Sequence, residues 1–158
     1  MAGIVYNMRG GCRLHIKTFE QLTTSELYAL LQTRSAVFIV EQQCIYQDVD
    51  DCDQTAIHLW ISDENGKIVA MCRICPRETK MQEVSIGRVI TTEREKGFGT
   101  AIMRAAIDTA KSRIKNLLCI DIEAQADKKE FYEKFGFVQI SEPFMMEGLY
   151  HMHMRYTL

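Results

Sequence analysis

A chain of 158 residues has the size of one domain, and its 47% hydrophobic and 25% charged residues are ordinary for a globular protein with a full core. A formal net charge of −2 gives no electrostatic reason to expect a nucleic-acid or membrane partner. Apolar runs such as Ala36 to Val40 fall far short of a membrane span, and six cysteines without a signal-peptide pattern point to reduced thiols in the cytoplasm.

Residues 1–11 are read as a leader or expression remnant with no part in the fold, and 12–158 as a single domain. CRLHIKTF, 12–19, alternates as a first strand. Thr23 and Glu26 form a capping box, after which Leu27, Leu30, Leu31, Arg34 and Phe38 recur at helical spacing. Arg34 stands in that apolar stripe, which calls for a buried partner or a pocket. The stretch 41–54 is polar and irregular, with Glu41, Asp48, Asp50, Asp51 and Asp53, and reads as a loop or broken helix that leans towards a cationic ligand.

Strands follow at 56–62, 67–75 and 83–91, the first two joined by a turn ending in Asn65-Gly66. Cys72 and Cys75 form a CxxC inside a strand, where residues three apart face opposite sides, so they read as plain thiols. Residues 98–114 make an amphipathic helix, 117–124 a buried strand, 127–135 a short helix stopped by Gly136, and FVQIS and YHMHMRYTL the last strands. A meander followed by crossovers predicts a mixed α/β sheet in one layer-packed domain.

The most informative segment is Arg94-Glu95-Lys96-Gly97-Phe98-Gly99, between a strand and a helix. A helix start exposes unpaired N–H groups and a positive dipole end, the glycines let backbone approach a ligand, and Arg94 and Lys96 add charge. Together these suit a pyrophosphate. The segment lacks the GxxxxGK[ST] of a P-loop and the third glycine of a dinucleotide fingerprint.

Arg94-x-x-Gly97-x-Gly99 resembles the acyl-CoA loop of the Gcn5-related N-acetyltransferase (GNAT) family. Gln125, with Phe131-Tyr132-Glu133-Lys134-Phe135-Gly136-Phe137 downstream, resembles that family's N-x(6)-Y-x-x-x-G-F element, with Gln in place of the commoner Asn. Arg34-x-x-x-Phe38-Ile39-Val40-Glu41-Gln42, Tyr46-x-Asp48-x-Asp50, His58 and the ending Gly148-x-x-His151-x-His153-Met154 are similar to the ElaA-like branch. Gln43-Cys44-Ile45 and Asp127-Lys128 depart from the branch's pattern, on the acceptor side more than the cofactor side.

The resemblance implies a mostly antiparallel sheet of about six or seven strands flanked by helices, with splayed central strands. It implies an N-acetyltransferase that moves an acetyl group from acetyl-CoA to a primary amine, small-molecule or protein, by direct attack in a ternary complex. The cosubstrate would contact Val89, Ile90, Arg94, Glu95, Lys96, Gly97, Phe98, Gly99, Thr100, Gln125, Phe131 and Tyr132. Tyr132 would protonate the departing thiolate, and a backbone N–H near Val89 or Ile90 would face the oxyanion. Arg88 reads equally as a site residue or as a strand residue paired with an acid.

The base is open among Glu41, Asp121, Glu123, His58, His151, His153 and a water relay. Histidines titrate near neutrality, which suits the task. Glu41, His151 and His153 are the catalytic candidates, and Arg34, Glu41, His58, Arg88 and His151 are the candidates for binding the acceptor. His151 and His153 share a strand face but have no further ligand cluster, so no metal is expected. Two other readings remain: an acyl-CoA-binding regulatory module without turnover, and an enzyme like the acyl-homoserine-lactone synthases.

Overall fold

The computed structural model describes residues 3–158. Its sheet is built from β1 (Ile4–Asn7), β2 (Arg13–Thr18), β3 (Ile57–Ser62), β4 (Ile68–Cys75), β5 (Ser85–Thr91), β6 (Cys119–Gln125), β7 (Val138–Gln139), β8 (Phe144–Met146) and β9 (Leu149–Thr157). The order is β1-β2-β3-β4-β5-β6-β9-β7, with β8 also on β9. Every pairing is antiparallel except β5 with β6.

This is the expected mixed, mostly antiparallel sheet, but with nine strands instead of six or seven. The two extra strands have a common cause. β1 comes from the segment expected to have no part in the fold, and every one of its residues is exposed, so burial imposes no pattern on it. β8 has three residues, too few to alternate visibly, and is held by the turn at Glu147-Gly148, both at positive φ.

Three helices flank the sheet. α1 (Thr24–Arg34) opens with the expected capping box: Thr23 Oγ1 accepts from the Glu26 N–H, and Glu26 Oε2 accepts from the Thr23 N–H. Beyond Arg34 the helix widens into a π-helical segment, Ser35–Glu41, whose end is marked by Gln42 N–H donating to the Val37 carbonyl. α2 (Phe98–Arg113) and α3 (Lys129–Glu133) complete the set.

The α2 face carries the main core. Ile102, Met103, Ala106 and Ala110 pack on Cys72 and Ile74 of β4, Ile86 of β5, Ile120, Ile122 and Ala124 of β6, and Met152 and Met154 of β9. α1 seals a smaller cluster on the other face, with Leu30, Val37, Trp60, Met71 and Ile90. Because strand residues alternate, Asp121, Glu123 and Gln125 of β6 and His151, His153 and Arg155 of β9 turn away from α2. They stand as cross-strand partners: Asp121 opposite Arg155, Glu123 opposite His153, Gln125 opposite His151. The fold therefore has an apolar face under α2 and, beside α1, a polar band on β6 and β9.

Candidate active site

β5 and β6 pair at a single position, Ser85 with Asp121, and part beyond it. β5 is also bulged against β4: Met71 pairs with Ile90 and Arg73 with Gly87, so one residue of β4, Cys72, stands opposite two of β5, Arg88 and Val89. The extra residue is Arg88, at φ 54°. The parting strands open a cleft of about 810 Å³ that runs from the start of α2 to the loop ahead of β5.

One end of the cleft is the 94–100 loop. Gly97 caps α2 at φ 77°, and a Cβ there would meet open space, so its backbone angle is what requires glycine. Gly99 has a different reason, since its Cβ would lie 3.4 Å from the Phe131 ring and the Thr91 methyl. The first bond of α2 runs from Ala101 N–H to the Gly97 carbonyl. The N–H groups of Phe98, Gly99 and Thr100 come before it and are left free by the helix. Arg94, Glu95, Gly97, Phe98, Gly99 and Thr100 line the cleft, as do Val89, Ile90, Gln125, Phe131 and Tyr132. Lys96 does not; it pairs with Glu93 at 2.7 Å on the surface. This donor set at a helix start, beside an elongated cleft, fits a pyrophosphate with a long narrow arm.

Tyr132 reaches the cleft from the α2 face. Burial pushes its hydroxyl well above the ordinary tyrosine value, with the buried Cys72 thiol adding to the effect. The phenol is held protonated, as a proton donor must be. Cys44 and Cys75 also line the cleft, and burial raises both thiols, Cys75 to about 11. All six cysteines are unpaired, and among the described residues no cluster of three metal-ligating side chains occurs.

On the opposite face the candidates separate. His151 is buried in the cleft wall, and its Nδ1 lies 2.9 Å from the Leu149 carbonyl. A carbonyl only accepts, so Nδ1 carries a proton, which leaves Nε2 as the ring position that can accept one. His153 lies outside the cleft lining; its ring is 3.5 Å from Glu123 and packs edge-on against Phe144. Glu41 is exposed on the rim, paired with Arg94. Asp121 is engaged by Arg155 through two hydrogen bonds of 2.7 and 2.8 Å.

Arg34 and His58 lie below the cleft, in a charged network that fixes the 41–54 loop. Arg34 donates to Asp48 at 2.8 Å and Asp53 at 2.6 Å, and Arg73 to Asp50 and Asp53 at 2.7 to 2.8 Å. Arg88 lies 2.9 Å from Asp48 and 3.2 Å from Asp50. His58 bonds the Asp53 carbonyl at 2.9 Å. Both expectations for Arg88 hold in part, because it lines the cleft while its charge is matched by these aspartates. The expectation that the acidic loop draws a cation is corrected: Asp48, Asp50 and Asp53 are neutralised from within by three arginines.

Sequence reading passed over Gln42, Phe38, Tyr46, Arg73 and Glu147 as cleft residues. Gln42 accepts from Gln125 Nε2 at 3.0 Å, joining the end of the π-helical segment to β6. Phe38 lay in the helical stripe and so read as core. The widened turn after Arg34, which no local pattern announced, is what turns it to the cleft.

Comparison with known proteins agrees with this geometry. Residues 20–158 match the family model described as an acetyltransferase (GNAT) domain. A UPF0039 protein of Schizosaccharomyces pombe is 35% identical over 144 residues, covering 90% of this chain and 95% of the relative. ElaA of Escherichia coli is 37% identical over 137 residues, covering 85% and 89%. Its crystal structure superposes with a TM-score of 0.84 over 91% of this chain and 98% of that one. An acyl-CoA N-acyltransferase from Pseudomonas aeruginosa superposes with a TM-score of 0.83 at 34% identity, covering 90% and 97%. The acyl-homoserine lactone synthase BjaI, at 15% identity and a TM-score of 0.76, shares the fold alone. The free N–H groups at the start of α2, the parted strands and the protonated tyrosine thus stand in a chain that belongs to the GNAT family and is an acyl-CoA N-acyltransferase.

Proposed function

We propose that the protein transfers an acetyl group from acetyl-CoA to a primary amine, by direct attack while both substrates are bound. One arrangement carries this reading: Tyr132 meets the strand split from the α2 face while His151 meets it from the other. A proton donor and a proton acceptor thus stand on opposite sides of one cleft.

Acetyl-CoA supplies the acyl group as a thioester. The free N–H groups of Phe98, Gly99 and Thr100 hold the pyrophosphate, with Arg94 beside them. Val89, past the bulge, offers its backbone N–H to the oxyanion across the gap left by β6, while that of Ile90 points to β4. His151 Nε2 takes a proton from the attacking amine, whose nitrogen forms the C–N bond. The C–S bond breaks as Tyr132 gives its proton to sulfur, and solvent restores both side chains.

The cleft cysteines favour direct attack over an acyl-enzyme. A thiol raised to about 11 is a thiolate in only a minute fraction at neutral pH, and the thiolate is the nucleophile. The six unpaired thiols suit a reducing cytoplasm. Initial-rate kinetics test the reading, with CoA release followed at varied acetyl-CoA and amine. Intersecting double-reciprocal lines are expected; parallel lines would mean a covalent acyl-enzyme and overturn direct attack.

A further inference from the structure

Acceptor chemistry can be read from which charges in the cleft remain free. β5 runs along the cleft, with Thr91 at the end beside the 94–100 loop and Ser85 to Arg88 at the other. The second end is where an acceptor has room. Asp48, Asp50 and Asp53 beneath it are spent on Arg34, Arg73 and Arg88. Of the other carboxylates in the cleft lining, Glu93 and Asp127 pair with Lys96 and Lys128 and Glu95 belongs to the 94–100 loop, which leaves Glu123, loosely shared with His153, and Glu147 at the tip of the β8–β9 turn.

Apolar side chains share this end with the polar Gln42, Lys80, Ser85 and Gln125. Phe38 and Tyr46 meet edge-on, with ring centroids 6.3 Å apart, and the Arg88 guanidinium lies 5.1 Å from the Tyr46 ring. Cys44, Met81, Met146 and Leu149 complete the surface. The two lips approach each other, since the Glu147 charge helps to raise the Cys44 thiol, after burial. An ammonium group fits beside Glu123 and His151, and the remainder of the molecule faces rings, thioethers and thiol. A second ammonium would find only Glu147, exposed at the turn tip where water screens the pair, and a third would be placed against apolar surface or against arginine, at a desolvation cost with no matching carboxylate.

We propose that the acceptor is a small primary monoamine on an apolar, ring-sized body, and not a polyamine or amino sugar. This rests on the amine-acylation reading above. The test uses the full chain with acetyl-CoA and compares 2-phenylethylamine with spermidine and kanamycin. The expected result is a kcat/KM for 2-phenylethylamine at least about tenfold above both others, the scale set by burying one ring. Equal or better turnover of spermidine or kanamycin would overturn the proposal.

Calorimetry of the same amines against the enzyme–CoA complex reads recognition without chemistry. Binding of 2-phenylethylamine in preference to spermidine, with no turnover, would uphold the acceptor class and sink acyl transfer. Absence of 2-phenylethylamine binding would overturn the class itself. A Met146→Asp variant adds a carboxylate deeper than the exposed Glu147 and should move the preference towards spermidine. An unchanged ratio in a folded M146D protein would also count against the proposal.

Discussion

Glu41 and Arg94, 53 residues apart, form an ion pair that ties the end of the π-helical segment to the 94–100 loop. Both side chains are more than half exposed, so the tie is weak. It also sets two roles for Glu41 against each other, since a base must reach the acceptor and a tether on the rim need not. Exposed pairs contribute up to about 1 kcal/mol, or about fivefold. Glu41→Gln should therefore shift the acetyl-CoA KM by no more than about fivefold and leave kcat and its pH profile unchanged. A collapse of kcat, with loss of the acid limb, would restore Glu41 as the base.

Gly97 and Gly99 answer to different constraints, and substitutions should separate them. Gly97→Val meets no neighbour but must hold a left-handed backbone, at about 1–2 kcal/mol. Its main effect should be on CoA affinity, at least about tenfold by calorimetry, with only a small change in Tm. Gly99→Val presses on Phe131 and Thr91 and should lower both CoA affinity and Tm. Unchanged CoA binding in both variants would move the pyrophosphate elsewhere.

Tyr132→Phe removes one hydroxyl and little packing. Loss of a general acid is expected to lower kcat by about 10²–10⁴-fold, with the acetyl-CoA KM changed far less. Parental turnover would leave Tyr132 a packing residue.

His151 and His153 share a strand face but not a role. His151→Gln should lower kcat by about a hundredfold or more and flatten the acid limb of its pH profile. His153→Asn, which disturbs only a rim contact with Glu123, should stay within about threefold of the parent. The reverse order would make Glu123 and His153 the base pair.

The buried network predicts acid sensitivity with a definite sign. Burial alone would raise the Asp50 and Asp53 carboxyls, but hydrogen bonds from Arg73 and Arg34 outweigh it and leave both below the ordinary value. Their contribution is complete above the unfolded carboxyl value of about 4 and is lost as pH falls through the lower folded values. Burial depresses His58, so its contribution is complete above about 6.5 and is lost as pH falls through its folded value. Thermal melts should fall first below about pH 6.5 and again below about pH 4. Asp53→Asn strips Arg34 and Arg73 of a shared carboxylate and should cost about 3–5 kcal/mol at pH 7, a Tm loss of about 10 °C. It should also blunt the lower transition.

By itself the sequence determined the half of the cleft made by the 94–100 loop, the start of α2 and Tyr132. A glycine pair opening a helix, an alternating strand and an aromatic at fixed offset from Gln125 are local patterns, because backbone angle and residue spacing impose them within a few residues. The other half was decided by tertiary structure. Which aspartates hold Arg34, that Arg88 is the bulged residue, that His151 enters the cleft while His153 does not, and that Phe38 lines the cleft as well as packing on the smaller core all depend on register between distant strands and on a widened turn after Arg34. A charged side chain announces that it needs a partner; the partner is named only when the fold brings residues from β4, β5 and the 48–53 segment to within hydrogen-bond distance of one another.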